Sequence, residues 1–255
     1  MRTSGLATVL SWFCCTGSLT THGYGAYNSK PCRTISRSSR GTHLARANRP
    51  TPPEKFGIGD WAHCLAGLLD AVGAQQAHIL GLSWGGVLAQ ELYRHHSERV
   101  LSLVLADTYA GWKGSLPEPI PQERLAACLQ DASLPPSNFV PKYLPGMFSD
   151  SPPQKAREQL ASIMSDFHPV GFRLMATAMA HSDTRDLLPR IRVPTLLLWG
   201  DDDRRAPITI AHQMRDAIPG SRLVVISGAG HVSNLEAPGV FNAEVRGFCS
   251  SVVIT

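Results

Sequence analysis

The chain has 255 residues, of which 43% are apolar, so it is long enough to bury one sizeable core and an inserted subdomain. Its net charge of +4 is unevenly distributed: residues 1–55 carry eight Lys/Arg and one acidic residue, whereas residues 56–255 carry sixteen and nineteen. The basic segment lacks the interleaved aromatic residues and recognition-helix pattern of nucleic-acid-binding proteins, and no apolar run reaches the length of a transmembrane helix. We therefore expect a soluble globular protein with neither a nucleic-acid nor a membrane partner.

Residues 1–55 form an atypical, poorly patterned segment. Only five apolar residues occur within residues 28–55, too few for buried parallel strands. The more apolar run LATVLSWFCC, residues 6–15, follows Arg2 and is a candidate for the apolar part of a secretory signal, although no clean cleavage site follows it. We expect the N-terminal strands to be missing or irregular, which leaves a sheet of about four or five strands. One hypothesis is that this segment arises from a shifted reading frame or a misjoined gene start.

Alternating helical and strand patterns begin near residue 56. In IGDWAHCLAGLLDAVG, a helical stripe contains Trp61, Leu65, Leu68 and Val72, and Gly73 suits the left-handed position that ends a helix. The strand AHILGL, the helix WGGVLAQELYRHH and the strand VLSLVLAD follow. The strands VPTLLLWG and RLVVIS come later, with the helix ITIAHQMRDAIPG between them, and we expect all these strands to be buried on both faces. This order predicts an α/β fold, in which helices cover both faces of a mostly parallel sheet.

The pattern changes between Tyr109 and Arg192, where helical stretches are separated by proline-rich links. We interpret this region as a helical cap inserted over one edge of the sheet. The predicted organisation after the atypical segment is therefore a first part of the core at residues 56–111, a cap at 112–185 and a second part of the core at 186–255.

The string GLSWGG places Ser83 between small residues, directly after one predicted strand and before a helix. A tight strand-to-helix turn strains the backbone of its central residue, and small neighbours such as Gly81 and Gly85 leave room for the flanking chain. The Ser83 hydroxyl would project above the carboxyl end of the sheet, and the backbone N–H of Trp84 would point at the same space. The string predicts a nucleophile and one oxyanion donor; a chance occurrence in a glycine-rich turn is the alternative.

A nucleophilic serine needs a base to take its proton and an acid to orient that base. His231 lies in SGAGHVSNLEAP, a glycine-rich loop after the last predicted strand, and is the candidate base. The string LLLWGDDDRRAP offers Asp201, Asp202 and Asp203 as candidate acids after another strand. All of these loops are expected at the carboxyl edge of the sheet.

The three strings, in the order Ser, Asp, His, resemble the nucleophile elbow, acid turn and histidine loop of the α/β-hydrolase fold family, over about residues 56–248. The acid turn of that family often reads G-x-x-D-x-x-x-P, and Gly200 and Pro207 frame Asp203 as the acid that the resemblance implies. Its two neighbouring aspartates are then expected to cap the turn. Asp107, in LADTYAG, stands where some relatives place their acid, and it remains an alternative.

The resemblance also implies a second oxyanion donor from a His-Gly loop. This chain has His22 followed by Gly23, so Gly23 is the candidate partner of Trp84 in the oxyanion hole. The strand that should precede this loop is not strongly apolar here, and the segment after it lacks buried-strand patterns.

Within the family, HVSNLEAPGVFN and the cap region resemble the 3-oxoadipate enol-lactonase-like group of carboxylic ester hydrolases. The resemblance implies a serine hydrolase that cleaves a small carboxylic ester or lactone and requires no metal or organic cofactor. A diacid substrate would need a cation, for which Arg173 and Lys142 are candidates, with a solvated surface position as the alternative for each. The candidates for lining an apolar acyl pocket, each with packing as its alternative role, are Trp112, Phe139, Met147 and Phe172.

Two other functional classes remain open at this point. A catalytically impaired remnant or a binding protein could keep the triad strings without the scaffold, and a cofactor-free haloperoxidase or carbon–carbon bond hydrolase would use the same triad. The six cysteines include no CxxC pair, which argues against metal and redox sites. Buried thiols in a reducing compartment are the simplest interpretation, so we expect a cytoplasmic protein.

Overall fold

The structure is a computed structural model that describes the backbone of residues 6–9, 11–12, 19–20 and 33–34, and the chain over residues 56–165 and 167–252. The strands are β1 (Leu6–Val9), β2 (Ser11–Trp12), β3 (Leu19–Thr20), β4 (Arg33–Thr34), β5 (Ala77–Leu82), β6 (Val100–Ala106), β7 (Thr195–Gly200) and β8 (Arg222–Ile226). The helices are α1 (Ile58–Ala71), α2 (Trp84–His95), α3 (Trp112–Ser115), α4 (Ile120–Asp131), α5 (Pro136–Tyr143), α6 (Gln154–Met164), α7 (Pro169–His181), α8 (Ile208–Ala217), α9 (Ser233–Glu236) and α10 (Pro238–Ser251).

The main sheet is parallel, with strand order β4-β1-β5-β6-β7-β8. Every residue of β5 and β7 is buried, and six of the seven residues of β6 are. Side chains alternate between the two faces of a strand, so complete burial means that both faces are covered. The predicted α/β architecture is therefore confirmed.

The sheet has six strands rather than the four or five that the sequence suggested. The difference comes from β1, which lies inside residues 6–15, the run considered as a secretory signal, and pairs in parallel with β5. Its sequence, LATV, has the apolar and β-branched residues that favour strands. Within the described residues, the segment 28–55 contributes only the two-residue edge strand β4. The other residues of this segment are outside the described part of the chain.

Helix α1 ends as predicted, but its buried stripe is not the predicted one. Gly73 has φ of +69° at the expected left-handed position. Trp61 and Leu65 are buried, whereas Val72, which lies beyond the last helical residue, is 38% exposed, and Leu69 takes the buried position instead. The predicted stripe alternates spacings of four and three, whereas the buried residues Trp61, Leu65 and Leu69 are four apart, so the buried face turns gradually around the helix axis.

Strand β8 differs from the expectation that all of these strands are buried on both faces. It occupies one edge of the sheet, and only Ile226 of its five residues is buried, while Val225 is 45% exposed. An edge strand has one neighbour rather than two, so its side chains are covered less completely.

Helices α3 to α7 lie between β6 and β7 in the chain, where the sequence predicted helices. Their core contains Phe139 stacked on Phe172, with Phe167 edge-on to both. Among the described cysteines, Cys128 and Cys249 are buried, but Cys64 is exposed, which corrects the expectation for that residue. None of the helices in the described ranges has the length and apolar character needed to cross a membrane.

Candidate active site

The candidate site lies where parallel strands end together. Ser83 follows β5, Asp107 follows β6, Asp203 lies in the turn after β7, and His231 lies in the loop after β8. Because neighbouring parallel strands share one carboxyl edge, four residues far apart in sequence meet there. The site therefore depends on the strand order β5-β6-β7-β8.

Ser83 occupies a strained turn between β5 and α2. Its φ of +55° and ψ of −118° are unfavourable for a residue with a side chain, and the turn is held by the Thr108 hydroxyl, which donates to the Ser83 carbonyl at 2.5 Å. A Cβ at Gly81 would overlap the backbone carbonyl of Gly85, and one at Gly86 would overlap the Thr108 side chain. A larger residue at Gly81 or Gly86 would therefore not fit, because backbone or side-chain atoms approach both positions closely.

His231 lies between Ser83 and Asp203. Its Nε2 is 2.8 Å from Ser83 Oγ, and its Nδ1 is 2.8 Å from Asp203 Oδ2. The other oxygen of Asp203 accepts backbone N–H groups from Arg205 at 2.8 Å and Ala206 at 2.9 Å. Three donors therefore surround one carboxyl group, which fixes its orientation toward the imidazole. A carboxylate, an imidazole and a hydroxyl linked in this order can make the hydroxyl oxygen nucleophilic.

The three residues are almost completely covered. Ser83 is 0% exposed, His231 is 1% exposed and Asp203 is 4% exposed. Burial strengthens the electrostatic interactions among them because water does not screen them. Ser83 accordingly has no exposed surface in this conformation.

The neighbouring aspartates of the acid turn make other contacts. Asp201 Oδ1 accepts the N–H of Gly228 at 2.7 Å, and Asp202 accepts the N–H of Asp150 and pairs with Arg204. Asp203 is the candidate acid whose carboxyl group contacts the imidazole of His231.

Asp107, the alternative acid, is fully buried beside this chain of hydrogen bonds. Its carboxyl group accepts from the Gly200 N–H at 2.8 Å and from the Ser233 hydroxyl at 2.5 Å. Burial, followed by the nearby Asp203 carboxylate, raises the pKa of Asp107 well above its ordinary value. The imidazole of His231 opposes this rise without cancelling it.

Trp84 and the pocket candidates take defined positions. Trp84 is the first residue of α2, so its backbone N–H lies at the N-terminus of that helix and directly after Ser83. Gly23, the other oxyanion candidate, lies outside the described residues. Trp112 and Phe172 line a narrow cavity among α3, α4, α5 and α7 that has no room for a water molecule; Phe139 and Met147 are buried but do not line it.

The two candidate cations for a diacid substrate occupy the surface positions that were their alternative, and a different cation lines the cavity. Arg173 and Lys142 are both exposed, whereas Arg205 lines the cavity, with its guanidinium 5.7 Å from the Tyr143 ring centre. Arg205 lies two residues after Asp203 in the string LLLWGDDDRRAP, which was considered only as a source of candidate acids. Tyr109 was also missed: its ring lies 6.3 Å from that of His231, and it follows the strand end that carries Asp107.

Glu236 is a further residue that the sequence did not single out. Its carboxylate accepts the backbone N–H of Gly230, next to His231, and both the N–H and the hydroxyl of Ser149. It thereby joins the histidine loop to the segment between α5 and α6. Among the described residues, no group of three or more His, Cys, Asp or Glu side chains has a geometry that could hold a metal ion.

Comparisons with known proteins identify the family of this chain. A model of the alpha/beta hydrolase family matches residues 9–244. 3-Oxoadipate enol-lactonase 1 of Acinetobacter baylyi is 30% identical over 191 residues, which cover 72% of this chain and 68% of that protein. The pimeloyl-(acyl-carrier protein) methyl ester esterase of Vibrio vulnificus is 27% identical over 209 residues, which cover 75% of this chain and 80% of that protein.

A solved esterase from Thermogutta terrifontis superposes with a TM-score of 0.79 at 23% identity, covering 98% of this chain and 91% of that one. This likeness supports the fold, and the match to the family model covers most of the sequence, including much of the atypical N-terminal segment. The expected α/β-hydrolase fold is confirmed, and the chain belongs to the alpha/beta hydrolase family.

Proposed function

We propose that this protein is a serine hydrolase that cleaves a carboxylic ester or a lactone through an acyl-enzyme. The observation that carries the proposal is the continuous hydrogen-bonded chain from Ser83 through His231 to Asp203, at 2.8 Å for each step. Such a chain performs acyl transfer on several unrelated folds, so its geometry argues for this chemistry independently of ancestry.

In the proposed mechanism, Ser83 Oγ attacks the substrate carbonyl carbon while His231 Nε2 takes the hydroxyl proton. Asp203 holds Nδ1 and stabilises the imidazolium that forms. The protonated His231 then donates to the leaving oxygen as the ester bond breaks. Water, deprotonated by His231, attacks the acyl-enzyme and releases the carboxylic acid and free Ser83. No cofactor enters any of these steps.

The backbone N–H of Trp84 is the proposed donor to the oxyanion, because it immediately follows the nucleophile at the start of α2. Gly23 is the proposed second donor. Removing one such donor from an acyl-transfer enzyme costs about 3–4 kcal/mol of transition-state stabilisation, so a single donor would still leave measurable activity.

Small ester and lactone substrates are supported by the relatives. One relative at 30% identity is named an enol-lactonase, and another at 27% identity is named a methyl ester esterase. The apolar residues of the cap, Trp112, Phe139, Met147 and Phe172, are the proposed lining of the acyl pocket after the covering chain moves.

The test is hydrolysis of a panel of p-nitrophenyl esters and enol-lactones by the wild-type protein and by Ser83→Ala. Loss of the nucleophile should lower kcat by about six orders of magnitude, as in other serine hydrolases. Ser137→Ala, an exposed serine in α5, is the matched control and should retain full activity. Hydrolysis that survives in Ser83→Ala at the wild-type rate would show the proposed mechanism to be wrong.

A further inference from the structure

A second carboxyl group lies beside the proposed catalytic residues and has no step in their mechanism. Asp107 is 0% exposed and has φ of +43°, a left-handed conformation that is uncommon for a residue with a side chain. A buried carboxyl group and a strained backbone both cost folding free energy, so they persist only where surrounding contacts hold them. Those contacts indicate what Asp107 does.

Asp107 connects the two loops that carry Asp203 and His231. Its Oδ1 accepts the N–H of Gly200, the last residue of β7 and the start of the acid turn. Its Oδ2 lies 2.5 Å from the hydroxyl of Ser233, two residues after His231 and the first residue of α9. The Asp107 side chain, at the end of β6, thus has one hydrogen bond to the acid turn and one to the histidine loop.

The two loops are also in direct backbone contact with each other. A Cβ at Gly200 would overlap the carbonyl of Ala229, and the N–H of Asp202 donates to that same carbonyl at 3.0 Å. Because these backbones are closely packed, they cannot absorb a displacement locally. A shift of Ser233 or Gly200 would therefore move the histidine loop relative to the acid turn. The Asp107 carboxyl group is therefore placed where it can fix the separation of the two loops.

The protonated form of Asp107 is better suited to holding the two loops together than to acting as a second catalytic acid. Asp203 has three hydrogen-bond donors, whereas Asp107 has one backbone donor and one hydroxyl. Burial and the negative charge of Asp203 keep the pKa of Asp107 high, so its neutral form is favoured. A neutral carboxyl group still accepts from the Gly200 N–H and the Ser233 hydroxyl, and it does not compete with Asp203 for the imidazole.

We propose that Asp107 is a positioning residue, whose carboxyl group ties the acid turn to the histidine loop through Gly200 and Ser233 and so holds His231 between Asp203 and Ser83. This inference rests on the proposed function, because it assigns a part in orienting the proposed base. Asp107 itself does not touch the reacting atoms.

The test compares Asp107→Ala, Asp107→Asn and Ser233→Ala with wild type. The alanine variant loses both hydrogen bonds and should lower kcat by about 10- to 100-fold, the scale of a small displacement of catalytic groups, while KM changes by less than about threefold. The asparagine variant keeps a neutral group of the same shape: its carbonyl accepts from the Gly200 N–H, and its amide can donate to the Ser233 oxygen once the hydroxyl hydrogen rotates away. It should stay within about threefold of wild type. Rescue by asparagine is an effect that a second ionised catalytic acid would not show.

A readout independent of any ester is the rate at which a fluorophosphonate probe phosphonylates Ser83, followed by mass spectrometry. Its P–F bond breaks as the Ser83 oxygen bonds to phosphorus, fluoride leaves, and His231 takes the hydroxyl proton, so the rate reports the orientation of His231. We expect the order wild type, Asp107→Asn, then Ser233→Ala and Asp107→Ala, with Ser137→Ala equal to wild type.

Thermal melts establish that each variant is folded at the assay temperature. If Asp107→Ala does not fold, Ser233→Ala and Asp107→Asn decide the question, and a slow Ser233→Ala beside a near-normal Asp107→Asn supports the proposal. Wild-type rates in a folded Asp107→Ala, or an Asp107→Asn as slow as Asp107→Ala, would overturn it.

The proposed function can fail separately from this inference. A wild-type protein that reacts with the probe at Ser83 but hydrolyses no ester or lactone contradicts the proposed function alone, and the labelling rates of the variants still test Asp107. A wild-type protein inert to both overturns both proposals.

Discussion

Single residues at the candidate site have roles that depend on position rather than on residue type. Asp201, Asp202 and Asp203 are identical in chemistry, yet only Asp203 reaches His231, because the turn directs its side chain inward while the other two bond to backbone N–H groups nearby. The framing by Gly200 and Pro207, a pattern of the family that the chain resembles, is what pointed to Asp203 in the sequence. The contacts of its neighbours were not predictable, since they involve partners distant in the chain.

The first residue-scale prediction separates adjacent carboxyl groups. Asp203→Ala should lower kcat for ester hydrolysis by about 10⁴-fold, because the imidazole loses the group that holds its tautomer and stabilises its charge. Asp202→Ala should lower it by less than about threefold, since Asp202 contacts Asp150 and Arg204 on the surface. Steady-state kinetics on one ester measures both, and equal losses would show that the acid is wrongly assigned.

The second residue-scale prediction concerns the glycines of the elbow. Gly81→Ala should destabilise the fold by about 1–3 kcal/mol or more, because the added methyl group would overlap the backbone of Gly85 and backbone cannot rotate away. Gly67→Ala, inside α1 with open space around it, is the matched control and should stabilise by about 0.5–1 kcal/mol. Urea unfolding gives both free energies; a neutral Gly81→Ala would mean that the elbow backbone is less tight than its geometry indicates.

At the scale of helices and strands, the segments that the sequence identified best are those with strong local signals. AHILGL followed by GLSWGG combines an apolar run with a glycine-rich turn, and the structure has a strand and a helix there. The N-terminal strand β1 was not foreseen, because its four residues are too few to distinguish a strand from another short apolar run. The hydrogen bond from Ser233 to Asp107 spans 126 residues and leaves no local trace in the sequence.

The element-scale prediction concerns the attachment of the cap region to the histidine loop. Glu236 on α9 accepts three hydrogen bonds, two from Ser149 and one from Gly230. Glu236→Ala should therefore release the segment around Ser149 and speed hydrogen exchange at the amides of Ser149 and Gly230 by at least about tenfold, the factor for a loss of about 1.4 kcal/mol.

Glu158→Ala is the control for that experiment, because Glu158 lies exposed on α6 and bonds only to the side chain of Gln154 in the described contacts. It should leave both amides protected as in wild type. Because Ser83 is completely covered, we also expect Glu236→Ala to change the KM for ester hydrolysis while its melting temperature stays near that of wild type. Unchanged exchange at Ser149 in Glu236→Ala would show that other contacts hold the cap in place.

At the scale of the whole molecule, the buried Asp107 makes folding stability depend on pH. Burial raises the pKa of Asp107 well above its ordinary value of 3.8, so the folded protein keeps a proton that the unfolded chain releases. Where the folded state binds more protons than the unfolded state, stability falls as pH rises. The contribution is fully favourable below about pH 3.8 and is lost progressively between that pH and the raised pKa of the folded state.

Asp107→Asn removes this titration while keeping a neutral group of the same shape. The free energy of unfolding of the variant, minus that of wild type, should therefore rise by up to about 1.4 kcal/mol for each pH unit above the ordinary pKa, and level off where folded Asp107 ionises. Urea unfolding of both proteins from pH 3 upward measures the difference. The acidic end provides the internal control, because both proteins are neutral at this position there and the curves should run parallel. A difference that stays constant across the whole pH range, or that falls as pH rises, would mean that Asp107 is ionised in the folded protein. A second buried negative charge would then face His231 beside Asp203.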